Sequence, residues 1–141
     1  MKSSGSLSAV ALVLAMAGCT TPRAAPAPAE SLIRFAPPPA GDAVIRLTAE
    51  ASGRLVHRDG CLRIVSERRP DVDMLVVWPT DYAAVSRGGR HGVMAPDGRT
   101  AFDGDRVRLG GGAIDALSDR VLHRDRAERC GGPYFGGYLP D

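Results

Sequence analysis

Residues 53–65 read GRLVHRDGCLRIV, which are two short runs of β-forming residues on either side of Asp59-Gly60. Asp-Gly is a strong signal for a tight hairpin turn, because both residues tolerate positive φ. With a two-residue loop, one face of the hairpin carries a largely apolar set: Leu55, His57, Leu62 and Ile64. The opposite face carries a half-charged set: Arg54, Val56, Arg58, Cys61, Arg63 and Val65. We therefore expect a hairpin that buries the first face and holds a cysteine on the second.

Other strand-like segments continue this pattern along the chain. Val44–Thr48 alternates apolar and polar residues, and Met74–Trp78 is a continuous apolar run that Pro79 stops. A Pro-Asp-Gly turn at 96–98 separates two further short segments, and DRVRLGGGAI, residues 105–114, ends in a glycine triplet. Short strands at regular spacing predict an all-β fold, a small single-domain barrel or sandwich. The segment DALSDRVLHR, residues 115–124, has apolar residues at helical spacing and is the one predicted short helix.

The first 42 residues differ in composition from the rest. A lysine and an apolar run, Leu7–Ala17, are typical of a secretory signal, and the run is too short to span a bilayer. We predict a signal peptide over 1–18, a Pro/Ala-rich tether over 19–42 and a β-barrel domain over 43–141. SLIRF, residues 31–35, interrupts the tether, and its apolar side chains are expected to pack on the domain edge or to form a partner-binding epitope.

The residues Met16-Ala17-Gly18-Cys19 resemble the lipobox of bacterial lipoproteins. That resemblance implies that Cys19 is linked to diacylglycerol, acylated with a fatty acid such as palmitate, and becomes the first residue of the mature chain. Two or three acyl chains anchor a protein stably without a spanning helix. Thr20 after the cysteine favours the periplasmic face of the outer membrane where a cell has two membranes. The alternative is an ordinary signal peptide with an incidental cysteine.

Lipidation of Cys19 leaves Cys61 and Cys130 as an even pair in an oxidising compartment. A disulfide is the favoured interpretation, and metal ligation is the competing one. Since Cys61 is predicted on the charged face, we expect the C-terminal tail to cross the outside of the hairpin. Tyr134 or Phe135 would then cover Val56 and Val65.

Four segments, in order, carry a second resemblance: DGCLRI, LVVWP, GDRVRLGGG and CGGPYF. Together they are similar to a family of small, uncharacterised secreted β-domains with the pattern GCL, VWP, GGG and CxGPY. The resemblance spans roughly Arg54 to Tyr138. It implies an OB-like barrel with its C-terminal tail stapled by the two cysteines, and no agreed function.

Catalytic and cofactor motifs are missing from the sequence. It contains no Gly-x-Ser-x-Gly, no His-Glu-x-x-His and no phosphate-binding Gly-Lys-Ser/Thr, so we expect no enzyme, no cofactor and no metal site. His57, His91 and His123 are scattered and are predicted to be structural. A net charge of +2 over 141 residues argues against nucleic acid as a partner. The interleaved charges of DRVLHRDRAER, residues 119–129, are typical of a solvated face.

The aromatic residues provide one further candidate, either a stacking platform for a ligand or part of the core: Trp78, Tyr134, Phe135 and Tyr138. The sequence favours a lipid-anchored envelope protein whose domain is a non-catalytic module that binds an envelope protein, a glycan or a small ligand. A structural or accessory envelope role is the alternative, and an enzyme is the least favoured class.

Overall fold

The computed structural model describes residues 32–43 and 46–141. Strands dominate the fold, in chain order β1 Arg34–Phe35, β2 Ala49–Arg58, β3 Cys61–Val65, β4 Asp73–Val77, β5 Ala83–Arg87, β6 Arg90–Met94, β7 Thr100–Phe102, β8 Arg106–Ile114, β9 Val121–Leu122 and β10 Tyr134–Tyr138. One short helix, α1, covers Arg124–Cys130. The predicted all-β class with at most one helix is confirmed.

Five strands close into an OB-like barrel in the order β10-β4-β3-β2-β8. Strand β10 completes the closure, because it pairs antiparallel with β8 and parallel with β4. The barrel interior is filled by apolar side chains from all five strands, among them Leu55, Ile64, Val76, Leu109 and Phe135. Closure removes the open sheet edges that would otherwise be exposed to other chains.

The β2–β3 hairpin has the predicted register. Arg58 pairs with Cys61 and His57 with Leu62, which leaves Asp59-Gly60 as a two-residue loop. Both loop residues have positive φ, 53° and 78°, as a primed turn requires. Leu55, Leu62 and Ile64 consequently point into the barrel core.

A three-stranded antiparallel sheet, β5-β6-β7, is inserted between β4 and β8. Its inner face packs onto the barrel through Val93 and Ala101, which belong to the same buried cluster as the barrel interior. Because Ser86 pairs with His91 and Ala84 with Val93, these four residues share that inner face. The end of the face that carries Ser86 and His91 extends beyond the buried cluster.

A second apolar cluster covers the outside of the barrel. It joins Cys61, Leu75 and Val77 on the outer face of the barrel to Val121 and Ala127 from β9 and α1. A disulfide links Cys61 to Cys130, with 6.0 Å between the two Cα atoms, so the predicted staple of the C-terminal region is confirmed. It closes a loop of 69 residues, which on the chain-entropy model contributes about 4 kcal/mol.

The C-terminal segment follows a different course from the predicted one. Helix α1 contributes Ala127 to the outer cluster, and the chain after it enters the barrel as β10 instead of crossing the outside of the hairpin. Phe135 faces the barrel interior and Tyr134 packs on the outer cluster. The reason is strand alternation: adjacent residues of a barrel strand point to opposite faces.

The helix and the first strand also differ from their predicted positions. Val121 and Leu122 are extended, because they pair with Phe35 and Arg34 of β1, so the helix begins only at Arg124. Strand β2 begins at Ala49, and residues 46–48 are not in a strand. Leu32 and Ile33 are buried, so the packed part of the chain includes residues before the predicted domain start at 43. The signal peptide and Cys19 lie outside the described residues.

Candidate ligand-binding site

One end of the barrel opens into a cavity of about 250 Å³. It lies where β2 ends, β3 begins and β4 ends, with the β5–β6 hairpin and α1 on its sides. Barrel mouths are a common position for small-molecule sites. The side chains that give the cavity its chemical character are His57, Leu62, Trp78, Ser86, His91 and Arg126.

Two histidines from different elements meet in this cavity. The rings of His57 on β2 and His91 on β6 stack with their centroids 4.1 Å apart and their planes at 26°. The backbone N–H of His57 donates to the Asp103 carboxylate at 3.0 Å, which fixes the end of β2 against the β7–β8 turn. The Ser86 hydroxyl lies 3.5 Å from Nδ1 of His91. His57, Ser86 and His91 all line the cavity.

Trp78 forms part of the cavity wall from the barrel side. Its side chain is fully buried and stacks on Tyr82, with the ring centroids 5.7 Å apart. Burial also raises the pKa of the Tyr82 hydroxyl, which accepts a hydrogen bond from the backbone N–H of Leu139 at 3.0 Å. The indole Nε1–H of Trp78, by contrast, has no acceptor among the described residues.

Arg126 reaches the cavity from α1. Its Nε is buried and has no acceptor among the residues that the structure describes. The neighbouring arginines of α1 do have partners, since Arg124 pairs with Asp119 and Glu128, and Arg129 pairs with Asp125. The predicted solvated face therefore holds for Arg124 and Arg129 and is wrong for Arg126.

These two donors have an energetic consequence. A buried N–H that lacks an acceptor costs about 1–3 kcal/mol in lost hydration. Both orphaned groups, Trp78 Nε1 and Arg126 Nε, belong to side chains that line the same cavity. Unpaired buried groups are rare in folded proteins and require an explanation where they cluster. A ligand that supplies acceptors to this cavity is such an explanation.

The four aromatic residues of the candidate stacking platform do not form one surface. Trp78 and Phe135 are buried in the barrel core, and Tyr134 packs on the outer cluster. Tyr138 is half-buried against the same core cluster, with the Arg46 guanidinium 5.4 Å from its ring centroid and its hydroxyl donating to the Leu47 carbonyl at 3.4 Å. Of the four, Trp78 alone is among the residues that line the cavity.

The other surface features of the described residues are weaker candidates for a site. A second, shallower depression is lined by Arg99, Arg106 and Arg108, and each of these guanidinium groups is already paired with a carboxylate. Within residues 32–43 and 46–141, no three His, Cys, Asp or Glu side chains are placed to share a metal ion. No helix in that part of the chain has the length and apolar character needed to cross a membrane.

Comparison with models of known protein families, with curated proteins and with solved structures finds no match to this chain. The resemblance of its four motifs to a family of small secreted β-domains therefore rests on those residues alone.

The cavity combines residues that sequence reasoning treated separately or passed over. The hairpin register places His57 on the apolar face, where it is predicted to be structural, and the structure places its side chain at the cavity. His91, Ser86 and Arg126 carried no comparable signal, because their positions depend on how the inserted sheet and α1 dock on the barrel. Arg126 lies in a run of alternating charges that looks uniformly exposed.

Proposed function

We propose that the protein is a lipid-anchored lipoprotein of the cell envelope whose barrel domain is a non-catalytic binding module for a small ligand. The single observation that carries the binding role is the cavity at the barrel mouth, where two buried N–H donors find no acceptor in the described part of the chain. The lipobox-like stretch ending at Cys19 supports the anchor, and the Pro/Ala-rich segment after it supports a tether between lipid and domain.

The dimensions of the cavity favour a small ligand over a glycan chain or a protein. A volume of about 250 Å³ lies just below the usual range of small-molecule pockets. The aromatic residues that would form an extended stacking surface are divided between core and outer cluster. A structural or accessory envelope role is the alternative, and a test of ligand binding to the cavity distinguishes the two roles.

A matched pair of substitutions on β5 tests the binding role. Ala84 lines the cavity, whereas the adjacent Ala83, which is also exposed, is not among the lining residues. Thermal unfolding of the soluble domain is measured against a library of neutral, cationic and anionic fragments. A fragment at ten times its dissociation constant stabilises the folded state by about 1.4 kcal/mol, which raises Tm by several degrees.

We expect fragments that raise Tm for the native domain and for Ala83→Phe, and that lose this effect in Ala84→Phe because the new ring occupies the cavity. Unfolding without ligand must show that both variants are folded. A library in which no fragment stabilises the native domain, or in which Ala84→Phe responds like Ala83→Phe, would overturn the binding role and leave the accessory one.

A further inference from the structure

We infer that the ligand is a small organic anion, a carboxylate carried on a compact apolar body, and that Arg126 is its charge partner. The inference rests on the proposed binding function and names the ligand class for the same cavity. Three independent properties of the cavity carry it: the sign of its charge, the direction of its unpaired hydrogen bonds and the character of its walls.

The charge of the cavity lining is one-sided. Arg126 brings a guanidinium, which is positive at any physiological pH, and no described residue that lines the cavity is an aspartate or a glutamate. On the same helix, the exposed guanidinium groups of Arg124 and Arg129 are each held by carboxylates of this chain. The cavity therefore holds a cation whose counter-charge is missing from the described residues, which favours an anion.

The hydrogen-bonding requirement points the same way. An indole N–H and a guanidinium N–H can only donate, so Trp78 and Arg126 both require acceptors. Both nitrogens are buried, and neither has an acceptor among the residues that the structure describes. Arg126 as a whole is only half-buried, so an entering ligand can meet the guanidinium first. A carboxylate carries two acceptor oxygens and no donor, which matches two groups that can only donate.

The walls and the volume exclude a bare inorganic anion as the best ligand. Much of the lining is apolar and comes from Leu32, Leu62, Val76 and Val85. Contact with such surfaces contributes nothing to the binding of a fully hydrated ion, whereas it stabilises an apolar body. An apolar cavity of about 150 Å³ accommodates benzene. The cavity here, about 250 Å³, has room for a ring and a carboxylate.

The test uses benzoate as the probe, with benzyl alcohol as its neutral counterpart and inorganic phosphate as an anion without an apolar body. Trp78 is the only tryptophan in the chain, so its indole N–H gives one unambiguous signal in a ¹H–¹⁵N spectrum of the disulfide-bonded soluble domain. Each probe is titrated into the native domain, into Arg126→Gln and into the control Arg129→Gln, which removes an exposed guanidinium from the same helix.

We expect benzoate to shift the Trp78 signal saturably in the native domain and in Arg129→Gln, and to bind roughly ten- to hundredfold more weakly to Arg126→Gln. Arg126→Lys retains the charge and should bind benzoate more tightly than Arg126→Gln does. If Arg126→Gln proves unstable, Arg126→Lys alone decides the case, because a retained charge should still bind benzoate more tightly than benzyl alcohol.

Three results would overturn the inference. If benzyl alcohol binds as tightly as benzoate, or if Arg126→Gln binds benzoate as tightly as the native domain does, the ligand does not need an anionic group. If phosphate binds as tightly as benzoate, the ligand does not need an apolar body. Absence of benzoate binding would reject the ligand class altogether. In each case a neutral or cationic fragment that stabilises the native domain, and not Ala84→Phe, would leave the proposed binding function standing.

Discussion

Arg63 is a charged residue of the barrel's outer face that the structure buries to 7% exposure. Its Nη1 donates to the carbonyls of Cys130 and Gly131 at 3.0 and 2.9 Å, and its Nε pairs with the Asp73 carboxylate. Those two carbonyls lie at the C-terminal end of α1, where helix carbonyls lack internal partners and a positive charge is favourable. One side chain thus holds the end of α1 to the barrel beside the disulfide.

We predict that Arg63→Met destabilises the domain by about 3–5 kcal/mol, because the half-buried carbonyls at the end of α1 lose their donor and Asp73 keeps only Arg58 as a partner. Arg58 is the matched control, since it reaches the same Asp73 at 3.2 Å from a side chain that is 57% exposed. Arg58→Met should cost at most about 1 kcal/mol. Urea unfolding of both variants with the disulfide intact measures the difference, and equal losses would refute the role assigned to Arg63.

This residue also marks a limit of sequence analysis. The hairpin register assigns Arg63 correctly to the outer face, but outer faces of small barrels are usually solvated. Its burial depends on acceptors 67 and 68 residues further along the chain, whose arrival at β3 has no local signal.

Among the secondary-structure elements, those set by neighbouring residues were predicted correctly, whereas those set by pairing with a distant strand were not. The Asp59-Gly60 turn and the apolar run before Pro79 both depend on neighbouring residues. The β2–β3 hairpin with its register and strand β4 were therefore predicted correctly. Strand β10 was not recognised as part of the barrel, because its place depends on β4 and β8. The helix was misplaced for the same reason, since β9 is extended by its pairing with β1.

Gly111, in the glycine triplet of β8, has no room for a side chain, because β8 pairs closely with β10. Gly111 has φ +152°, and a Cβ built on it would lie 1.9 Å from the carbonyl oxygen of Gly136. That distance cannot be accommodated without moving the backbone of one strand. The close approach therefore joins the two strands that close the barrel, consistent with a shape role for these glycines.

We predict that Gly111→Ala destabilises the domain by about 4 kcal/mol or more, as expected where a buried backbone must shift. Gly88→Ala is the control, because Gly88 also has a positive φ, +55°, but has open space around its Cβ position. It should cost only about 1–2 kcal/mol, the usual penalty for a left-handed residue with a side chain. Chemical denaturation provides the comparison, and similar costs at the two positions would contradict a close approach of β8 and β10.

At the scale of the whole molecule, the candidate site is an assembly of distant parts. The cavity draws on the end of the β2–β3 hairpin, the end of β4, the inserted sheet, α1 and residues 32–33. The fold class and the disulfide could be predicted, because turn signals and cysteine number are local or countable. The cavity could not, because no spacing in the sequence relates Arg126 to Trp78 or His91 to His57.

The membrane anchor is a whole-molecule prediction that concerns residues outside those the structure describes. We predict that Cys19→Ser abolishes labelling of the protein by radioactive palmitate and prevents its normal processing, because lipid attachment precedes cleavage in lipoproteins of this type. The variant should leave the membrane fraction or remain as the uncleaved precursor. Normal membrane fractionation and normal cleavage of Cys19→Ser would contradict the anchor.

Binding of a small ligand in the cavity is tested most directly by a crystal structure of the soluble domain with the fragment that binds it most tightly in solution. We predict that this fragment lies in the cavity at the barrel mouth, with an acceptor atom within about 3.2 Å of Trp78 Nε1 or a nitrogen of the Arg126 guanidinium. A fragment bound elsewhere on the domain, with the cavity empty or filled by collapsed side chains, would contradict it.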